Sequence, residues 1–379
     1  HTYSPTATRL GHKMIALDAA MQGRELWSLD VSTAFLKGWS FDDVRKAGFD
    51  RQPCAFIPPK DVFEIWAKFD TRFKACLSQW ELWCIWLDKA AYGLKDAPLL
   101  WNLAIVMVLM FDLTLERCSH DVCIFTKVVD GVVVLRLSLH VDDTLVTGLV
   151  KWMLWLHAEL EKRFGTMKIE KNTFRHFGVD MTRTENKHVV LDQTKYMEVL
   201  NPITLTAGKR LIDDPTDAAE ISSFRSLVSG MAWVGITSPQ AQAHASLLQG
   251  FLPTPTVRHI HMANLALNDL KTKYVPLYFQ HGFDFDQCKL LQIGDSSLGN
   301  NNKYSQGGYL IFLCEDDPNK LAGNLMLIAF RSAKGKRVAN SSLAAELLVK
   351  LLATEESTYI QTWFHEFRNP TLGAADLIR

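Results

Sequence analysis

A stretch of alternating apolar and polar residues, LRLSLHVDDTLVTG at 135–148, constrains the fold of this 379-residue chain more than any other. The alternation has the period of a β-strand with one buried and one polar face. Asp142 and Asp143 interrupt it and TLVTG resumes it, so we predict a β-hairpin with an acidic pair at its tip. Two adjacent carboxylates repel each other, and a fold tolerates them best in full solvation or on a metal ion. Taken alone, the pair favours a solvated turn over a metal site.

Asp30 occupies the polar face of a second predicted strand, at 27–33. A lone aspartate in a strand is usually a structural residue with satisfied partners. Between Asp30 and the hairpin, KAAYGLKDAPLLWN (89–102) places a Gly and Lys95 ahead of a predicted apolar helix at 101–111. This pattern is typical of a loop that leads into a helix. The alternative is that Lys95 and the backbone near the Gly face a phosphate-bearing ligand.

The rest of the chain is predicted to be a mixture of helices and strands. Helical spacing of apolar residues predicts helices at 10–21, 151–164, 221–235 and 256–272. A short strand is predicted at 118–127, and three consecutive strands at 290–297, 307–313 and 324–330. A last helix should begin at the cap-forming Ser341 and Ser342 and run to about Arg368.

Composition describes a globular protein with no net charge. Lys+Arg and Asp+Glu are both 41, which counts against a nucleic-acid-binding protein, although acidic clusters and basic tracks cancel in such a sum. The seven cysteines form no C-x-x-C pair, so we expect free thiols in a reducing compartment and no zinc site. The most apolar run, 103–110, is far shorter than the roughly 20 residues of a membrane span. No signal peptide is visible, and we expect an intracellular protein that does not enter a membrane.

Asp30, Asp142 and Asp143 become informative when they are considered together. Two-metal nucleotidyl transfer needs carboxylates from separate strands that bring two Mg²⁺ to about 4 Å apart. Mg²⁺ prefers hard oxygen ligands, which three aspartates and a substrate phosphate supply.

Several motifs occur in a fixed order that resembles the Pol polyproteins of copia-type LTR retrotransposons. The motifs that resemble their reverse transcriptase are LDVSTAFLKG (29–38), KAAYGLKDAPLLW (89–101) and LHVDDTLVTG (139–148). The segment FRSLVSGMAWVGITSP (224–239) is similar to their connection region. Two later segments resemble their ribonuclease H domain, GDSSLGNNNKYSQGGYLIFL (294–313) and FRSAKGKRVANSSLAAE (330–346).

The resemblance implies an α+β fold with a right-hand polymerase palm, a connection region and a partial ribonuclease H-like domain. The implied domains are 1–205 for the reverse transcriptase palm with partial fingers and thumb, 206–288 for the connection region, and 289–379 for a truncated ribonuclease H-like domain.

The resemblance also assigns catalytic and metal-binding residues. Asp30, Asp142 and Asp143 would hold two Mg²⁺ ions, with Mn²⁺ as an alternative, for RNA-directed DNA synthesis. Asp295 and Glu346 would hold two further ions, which activate water against the RNA strand of an RNA–DNA hybrid.

Four further residues are implied to bind substrates. Phe35 would block a ribose 2′-hydroxyl and so select deoxynucleotides. Lys95 lies in the motif that contacts the incoming nucleotide and the template. Phe177 and Gly178 resemble the turn that grips the primer.

The implied partners are an RNA or DNA template with its primer, deoxynucleoside triphosphates, an RNA–DNA hybrid, and other Pol or Gag products. The implied location is a cytoplasmic retrotransposon particle, with nuclear entry left open, as is the oligomeric state.

The chain also departs from the pattern of this family. His140 replaces an aromatic residue before V-D-D, which we expect to be tolerated at some cost in fidelity or rate. We expect the family's preceding fingers segment to be missing, and Asp376 is the late candidate for a third ribonuclease H carboxylate. We therefore expect the ribonuclease H part to be unstable alone and inactive. The alternatives to an active polymerase are a decayed relic that binds nucleic acid weakly and a metal-binding structural protein.

Overall fold

The structure is a computed structural model that describes residues 3–206, 210–284, 287–301, 304–315 and 323–370. Asp376 lies outside the described residues. The helices are α1 (Arg9–Met21), α2 (Phe41–Lys46), α3 (Lys60–Phe69), α4 (Thr71–Cys76), α5 (Ala97–Met107), α6 (Val150–Phe164), α7 (Thr194–Glu198), α8 (Ala218–Val234), α9 (Pro239–Gln249), α10 (Val257–Lys273) and α11 (Ser342–Arg368).

The strands lie between these helices, singly or in runs. They are β1 (Glu25–Val31), β2 (Cys54–Phe56), β3 (Ile85–Leu87), β4 (Glu116–Arg117), β5 (Ile124–Val129), β6 (Val132–His140), β7 (Asp143–Gly148), β8 (Met167–Lys171), β9 (Thr173–His176), β10 (Val179–Arg183), β11 (Val189–Asp192), β12 (Leu277–Phe279), β13 (Lys289–Asn301), β14 (Tyr304–Cys314) and β15 (Leu325–Lys334).

An antiparallel six-stranded sheet, in the order β4-β5-β6-β7-β1-β8, forms the first half of the structure. One of its faces packs against α5 and α6. The apolar stripe of the predicted helix at 151–164 is buried there, which confirms the prediction of an amphipathic helix. The predicted hairpin is formed by β6 and β7, and the apolar side chains of β6 are buried on this same face.

The other face of the sheet is covered by α1. Arg136 and Ser138 of β6 point toward α1 and are only 4% and 0% exposed. Arg136 donates to Asp18 at 2.8 Å, and Ser138 shares a hydrogen bond of 2.9 Å with His12. The prediction of a half-buried strand is therefore wrong for the middle of β6. Its polar side chains are paired with polar side chains of a helix more than a hundred residues upstream, so both faces of the strand are buried.

The second half of the structure contains two more sheets and a helical layer. The sheet β12-β11-β10-β9 has four strands, and the sheet β13-β14-β15 has three and packs against α11. Helices α8, α9 and α10 enclose a core of their own. A separate core joins α1, both of these sheets and α11 without interruption. The predicted boundary between 288 and 289 falls immediately before β13, and the predicted domain limits stay predictions.

The three predicted C-terminal strands and the helix that follows them are confirmed as β13, β14, β15 and α11. Ser341 is the cap, since its side chain accepts from the amide of Ala344. Helix α9 was not predicted, and 39–88, which has no clear period, forms α2, α3, α4 and the two-stranded β2-β3 sheet. Within the described ranges, no helix combines the length and the apolar character that crossing a membrane requires.

Candidate active site

The three predicted aspartates meet where the β6–β7 hairpin lies beside β1. Asp30 and Asp143 are direct cross-strand partners of the antiparallel β1–β7 pair. Residues in this relation share one face of a sheet, with Cβ atoms about 4.5–5.5 Å apart. Asp142 lies in the turn just before β7, and its carbonyl accepts from the amide of Val31 at 3.4 Å. The strand register therefore brings together residues that are 112 and 113 positions apart in the sequence.

The turn that carries Asp142 has an unusual backbone conformation and is held by a hydrogen bond from α5. Val141 has a φ of +58°, a left-handed conformation that β-branched residues rarely adopt. The indole Nε1 of Trp101, on α5, donates to the carbonyl of Val141 at 2.7 Å. Helix α5 begins in the motif that contains Lys95 (89–101). This motif therefore holds in place the acidic turn of the motif at 139–148. Strain of this kind is often found at functional sites.

Repulsion within the acidic group changes its protonation. Partial burial, followed by the charges of Asp142 and Asp30, raises the pKa of Asp143 to about 6. Partial burial and the charge of Asp142 likewise raise the pKa of Asp30. Lys168 of the adjacent β8 opposes both shifts but does not cancel them. The group thus carries negative charge that the protein itself does not neutralise.

The donor set of Asp30, Asp142 and Asp143 is suited to a divalent cation. It consists of carboxylate oxygens, which Mg²⁺ prefers, and a cation would relieve the repulsion that raises two of the pKa values. As they stand, the carboxylates are more widely spread than a closed metal site requires. The described residues contain one trio of potential ligands within 4.8 Å of one another, and it lies elsewhere. A cation here would need small side-chain rotations and further oxygen ligands from a substrate or water.

Two of the predicted substrate-binding residues belong to loops that approach each other. Phe35 lies in a short 3₁₀ turn after β1, and its ring centroid is 5.1 Å from that of Tyr92. Tyr92 and Gly93, which has a φ of +93°, form the turn ahead of exposed Lys95. The motifs at 29–38 and 89–101 thus meet through an aromatic contact. No described contact joins Lys95 to the aspartates.

Phe177 and Gly178 form the tight turn between β9 and β10, with φ of +38° and +82°. The ring of Phe177 stacks on His12 with centroids 4.6 Å apart. An added Cβ on Gly178 would lie 2.6 Å from the indole of Trp233. Glycine is therefore required twice at this position, for the left-handed backbone and for the close approach of α8.

A cluster of three histidines, two of them buried, lies behind the acidic turn and was missed by sequence reasoning. His12, His140 and His176 have ring centroids 4.9–6.4 Å apart, and all three also lie close to Phe177. Burial lowers the pKa of each ring, and for His176 to about 3, so the three are neutral at physiological pH. His140 replaces an aromatic residue within this packed group. No local pattern marks His12 and His176, because the fold alone assembles them.

Asp295 and Glu346 lie on neighbouring elements, but the structure does not place their side chains together. Glu346 accepts from the amide of Ser296 at 3.2 Å across the β13–α11 interface. Gln292, which has the same parity on β13 as Ser296, bonds side chains of α11. Since side chains alternate along a strand, Asp295 points to the opposite face. Their joint metal binding stays a prediction from the resemblance.

Comparisons with known proteins find similarity to reverse transcriptases and to the Pol polyproteins of transposons. The reverse transcriptase (RNA-dependent DNA polymerase) family matches residues 75–213. The retrovirus-related Pol polyprotein from transposon RE1 of Arabidopsis thaliana is 23% identical over 364 residues, which are 91% of this chain and 22% of that protein.

Two further relatives come from other hosts. The putative transposon Ty5-1 protein of Saccharomyces cerevisiae is 25% identical over 305 residues, 75% of this chain and 89% of that protein. The retrovirus-related Pol polyprotein from transposon TNT 1-94 of Nicotiana tabacum is 28% identical over 198 residues, 52% of this chain and 13% of that protein. No solved structure matches the chain. The chain spans less than a quarter of the Arabidopsis polyprotein's length.

Proposed function

Since this chain is related to the Pol polyproteins of retrotransposons and contains a match to the reverse transcriptase family, we propose that it is the RNA-directed DNA polymerase of a copia-type element. In this proposal the six-stranded sheet is the polymerase palm. The observation that carries it is the register of β1 and β7, which sets Asp30 opposite Asp143 with Asp142 in the adjoining turn.

The three aspartates would hold the divalent ions that this family of enzymes requires. Two bound Mg²⁺ ions would lower the pKa of the primer 3′-hydroxyl and stabilise the charge on the triphosphate and leaving group. The protein's part is to keep three carboxylates on one edge of a rigid sheet. Trp101 fixes the turn of Asp142, and the Asp30–Asp143 pairing fixes the other two. Mn²⁺ offers the same charge and could replace Mg²⁺.

The surrounding loops would bind the primer, the template and the deoxynucleoside triphosphate. Phe35, packed on Tyr92, would lie beside the sugar and exclude a 2′-hydroxyl. Exposed Lys95 would reach a phosphate of the nucleotide or template. The Phe177–Gly178 turn would contact the primer, held by the histidine cluster on one side and Trp233 on the other.

The C-terminal sheet β13-β14-β15 with α11 would be a ribonuclease H-like module. We propose that this module has no ribonuclease activity of its own. The observation that supports this part of the proposal is that Asp295 points away from the face of β13 that α11 covers, whereas Glu346 lies on α11. An RNA–DNA hybrid incubated with the protein should keep its RNA strand intact.

We place the protein in a cytoplasmic retrotransposon particle with other Gag and Pol products. Fractionation of cells that express the whole element, with detection of this chain in particles that contain the element's RNA, tests this location.

A primer-extension assay tests the polymerase. Oligo(dT) annealed to poly(rA) is incubated with dTTP and Mg²⁺ and either the unaltered chain or its Asp142→Asn variant. We expect extension by the unaltered chain and its loss in the variant. The control is Asp50→Asn, which makes the same change of charge on an exposed loop and should retain full activity.

Equal signal from Asp142→Asn and the unaltered chain would contradict the assignment of the site. A folded protein without extension activity, which still binds the primer–template weakly, would instead favour the decayed relic.

A further inference from the structure

Three potential metal ligands meet where the C-terminal helix α11 touches the loop between β4 and β5. Cys118 and His120 belong to the loop, and Glu366 lies near the end of α11. The thiol of Cys118 donates to Glu366 Oε2 at 3.1 Å, and Nδ1 of His120 lies 2.5 Å from the same oxygen. One ligand atom from each residue lies within 4.8 Å of the other two, and this is the one such trio among the described residues.

The chemistry of this trio differs from that of the aspartate site. It offers a sulfur, an imidazole nitrogen and a carboxylate oxygen, which are the three kinds of ligand that Zn²⁺ uses. Zinc ligands lie about 2.0–2.3 Å from the ion, so they are about 3.3–3.8 Å from one another in a tetrahedral site. Two contacts of the trio, at 3.1 and 2.5 Å, are shorter than this spacing because they are hydrogen bonds. Loss of the shared protons and rotation of the three side chains would open the trio to an ion.

The surroundings of the trio are also those of a metal site. Cys118 is 7% exposed, and the side chains of His120 and Glu366 are 12% and 6% exposed. Nε2 of His120 lies 2.8 Å from Thr362 Oγ1 and would donate to it once Nδ1 holds an ion. Such a hydrogen bond on the second nitrogen fixes the ring of a metal-bound histidine.

The second oxygen of Glu366 is held as well, since the amide of Ser119 donates to it at 2.6 Å. Burial raises the pKa of Glu366, but the hydrogen bonds from Ser119, His120 and Cys118 outweigh this effect and leave it below the ordinary value. Burial and the charge of Glu366 raise the pKa of the Cys118 thiol. A charged carboxylate thus lies against a buried thiol and an imidazole, where a cation would be stabilised.

We propose that Cys118, His120 and Glu366 form a zinc site that clips α11 to the six-stranded sheet, with a fourth position open to water. The sequence itself suggested no zinc site, because the two loop residues form no C-x-x-C pair and the third ligand lies 246 residues downstream. The site is independent of the polymerase proposal, since it uses none of the residues assigned to nucleotide transfer.

The experiment measures Zn²⁺ binding to the full chain by calorimetry after treatment with a chelator. Excess Mg²⁺ is present throughout, so that the aspartate site is not counted. We expect one Zn²⁺ per chain and a melting temperature that rises with Zn²⁺ concentration. Cys118→Ser and His120→Gln should each weaken binding more than the roughly 10–100-fold typical of losing a supporting hydrogen bond.

Two further variants serve as a test of the second nitrogen of His120 and as a control for cysteine substitution. Thr362→Val keeps all three ligands and should weaken Zn²⁺ binding about 10–100-fold. Cys84→Ser makes the same chemical change at an exposed cysteine and should leave binding unchanged.

Should Cys118→Ser fail to fold, Co²⁺ added to the unaltered chain gives an independent result, a thiolate-to-cobalt charge-transfer band that Zn²⁺ abolishes. No 1:1 binding of Zn²⁺, no thiolate band, or equal binding by folded Cys118→Ser would overturn the proposal.

Discussion

Replacing Asp143 with asparagine should make the protein more stable at neutral pH, although the change should abolish the proposed polymerase activity. The pKa of Asp143 is raised from 3.8 to about 6 by partial burial and by the charges of Asp142 and Asp30. A carboxyl whose pKa is higher in the folded state favours folding while it is protonated. That contribution is complete below about pH 4 and is lost as the pH rises through 6.

The size of the effect follows from the shift. About two pKa units correspond to about 3 kcal/mol at 1.36 kcal/mol per unit. Asp143 is only partly buried, so screening by solvent reduces this to about 1–1.5 kcal/mol. Asparagine has nearly the same shape and no charge. The free energy of unfolding of Asp143→Asn should therefore exceed that of the unaltered chain by this amount near pH 7.5 and equal it near pH 4.

Urea denaturation followed by tryptophan fluorescence measures the difference at several pH values. Asp50→Asn, on an exposed loop, should change the free energy of unfolding by less than about 0.5 kcal/mol at either pH. Addition of Mg²⁺ should stabilise the unaltered chain more than Asp143→Asn, since bound cations relieve the same repulsion. A variant no more stable than the unaltered chain at pH 7.5, or an advantage that persists unchanged at pH 4, would refute this account of the acidic cluster.

Three other predictions test different parts of the structure. Arg136→Met leaves Asp18 buried without its partner and should cost about 3–5 kcal/mol in urea denaturation, whereas a loss below 1 kcal/mol would show that the pair is not buried as described. Gly178→Ala and Gly131→Ala should each lower the free energy of unfolding by about 1–2 kcal/mol, because both positions have a left-handed backbone. Only the added methyl group of Gly178→Ala also meets an indole, at 2.6 Å, so this variant should lose about 1–3 kcal/mol more. Phe35→Ala should raise incorporation of ribonucleotides relative to deoxynucleotides about tenfold or more in primer extension, and an unchanged ratio would exclude Phe35 as the sugar-selecting residue.

The spacing of apolar residues was sufficient to predict the structure of a segment where that segment packs against one neighbour. The stripe of α6 and the C-terminal strands are visible in the sequence because each buries one regular apolar face, and the β6–β7 hairpin is visible because its apolar residues alternate. The spacing failed where a distant segment covers a polar face. Arg136 and Ser138 look like solvent-facing residues of a strand, and only α1 supplies the Asp18 and His12 that allow their burial.

The acidic site was predictable in its members but not in its surroundings. Asp30 and the Asp142–Asp143 pair were found from motif order, and the β1–β7 register then set them side by side. The buried histidines behind them could not be found, since His12 and His176 are 164 residues apart and neither belongs to a local pattern. Alternation along β13 could have warned that Asp295 faces away from α11, had the covered face been known.

The contact between Arg136 and the end of α11 has a consequence for the order in which the chain folds. The guanidinium of Arg136 donates to the carbonyl of Phe367 and lies 4.3 Å from the centroid of its ring. During synthesis from the N-terminus, β6 leaves the ribosome more than two hundred residues before Phe367 does. The six-stranded sheet and α1 can form early, but the part of this face that α11 covers stays open until that helix arrives. An interval of this kind is when a chaperone, or a second nascent copy, has access to the unfinished surface.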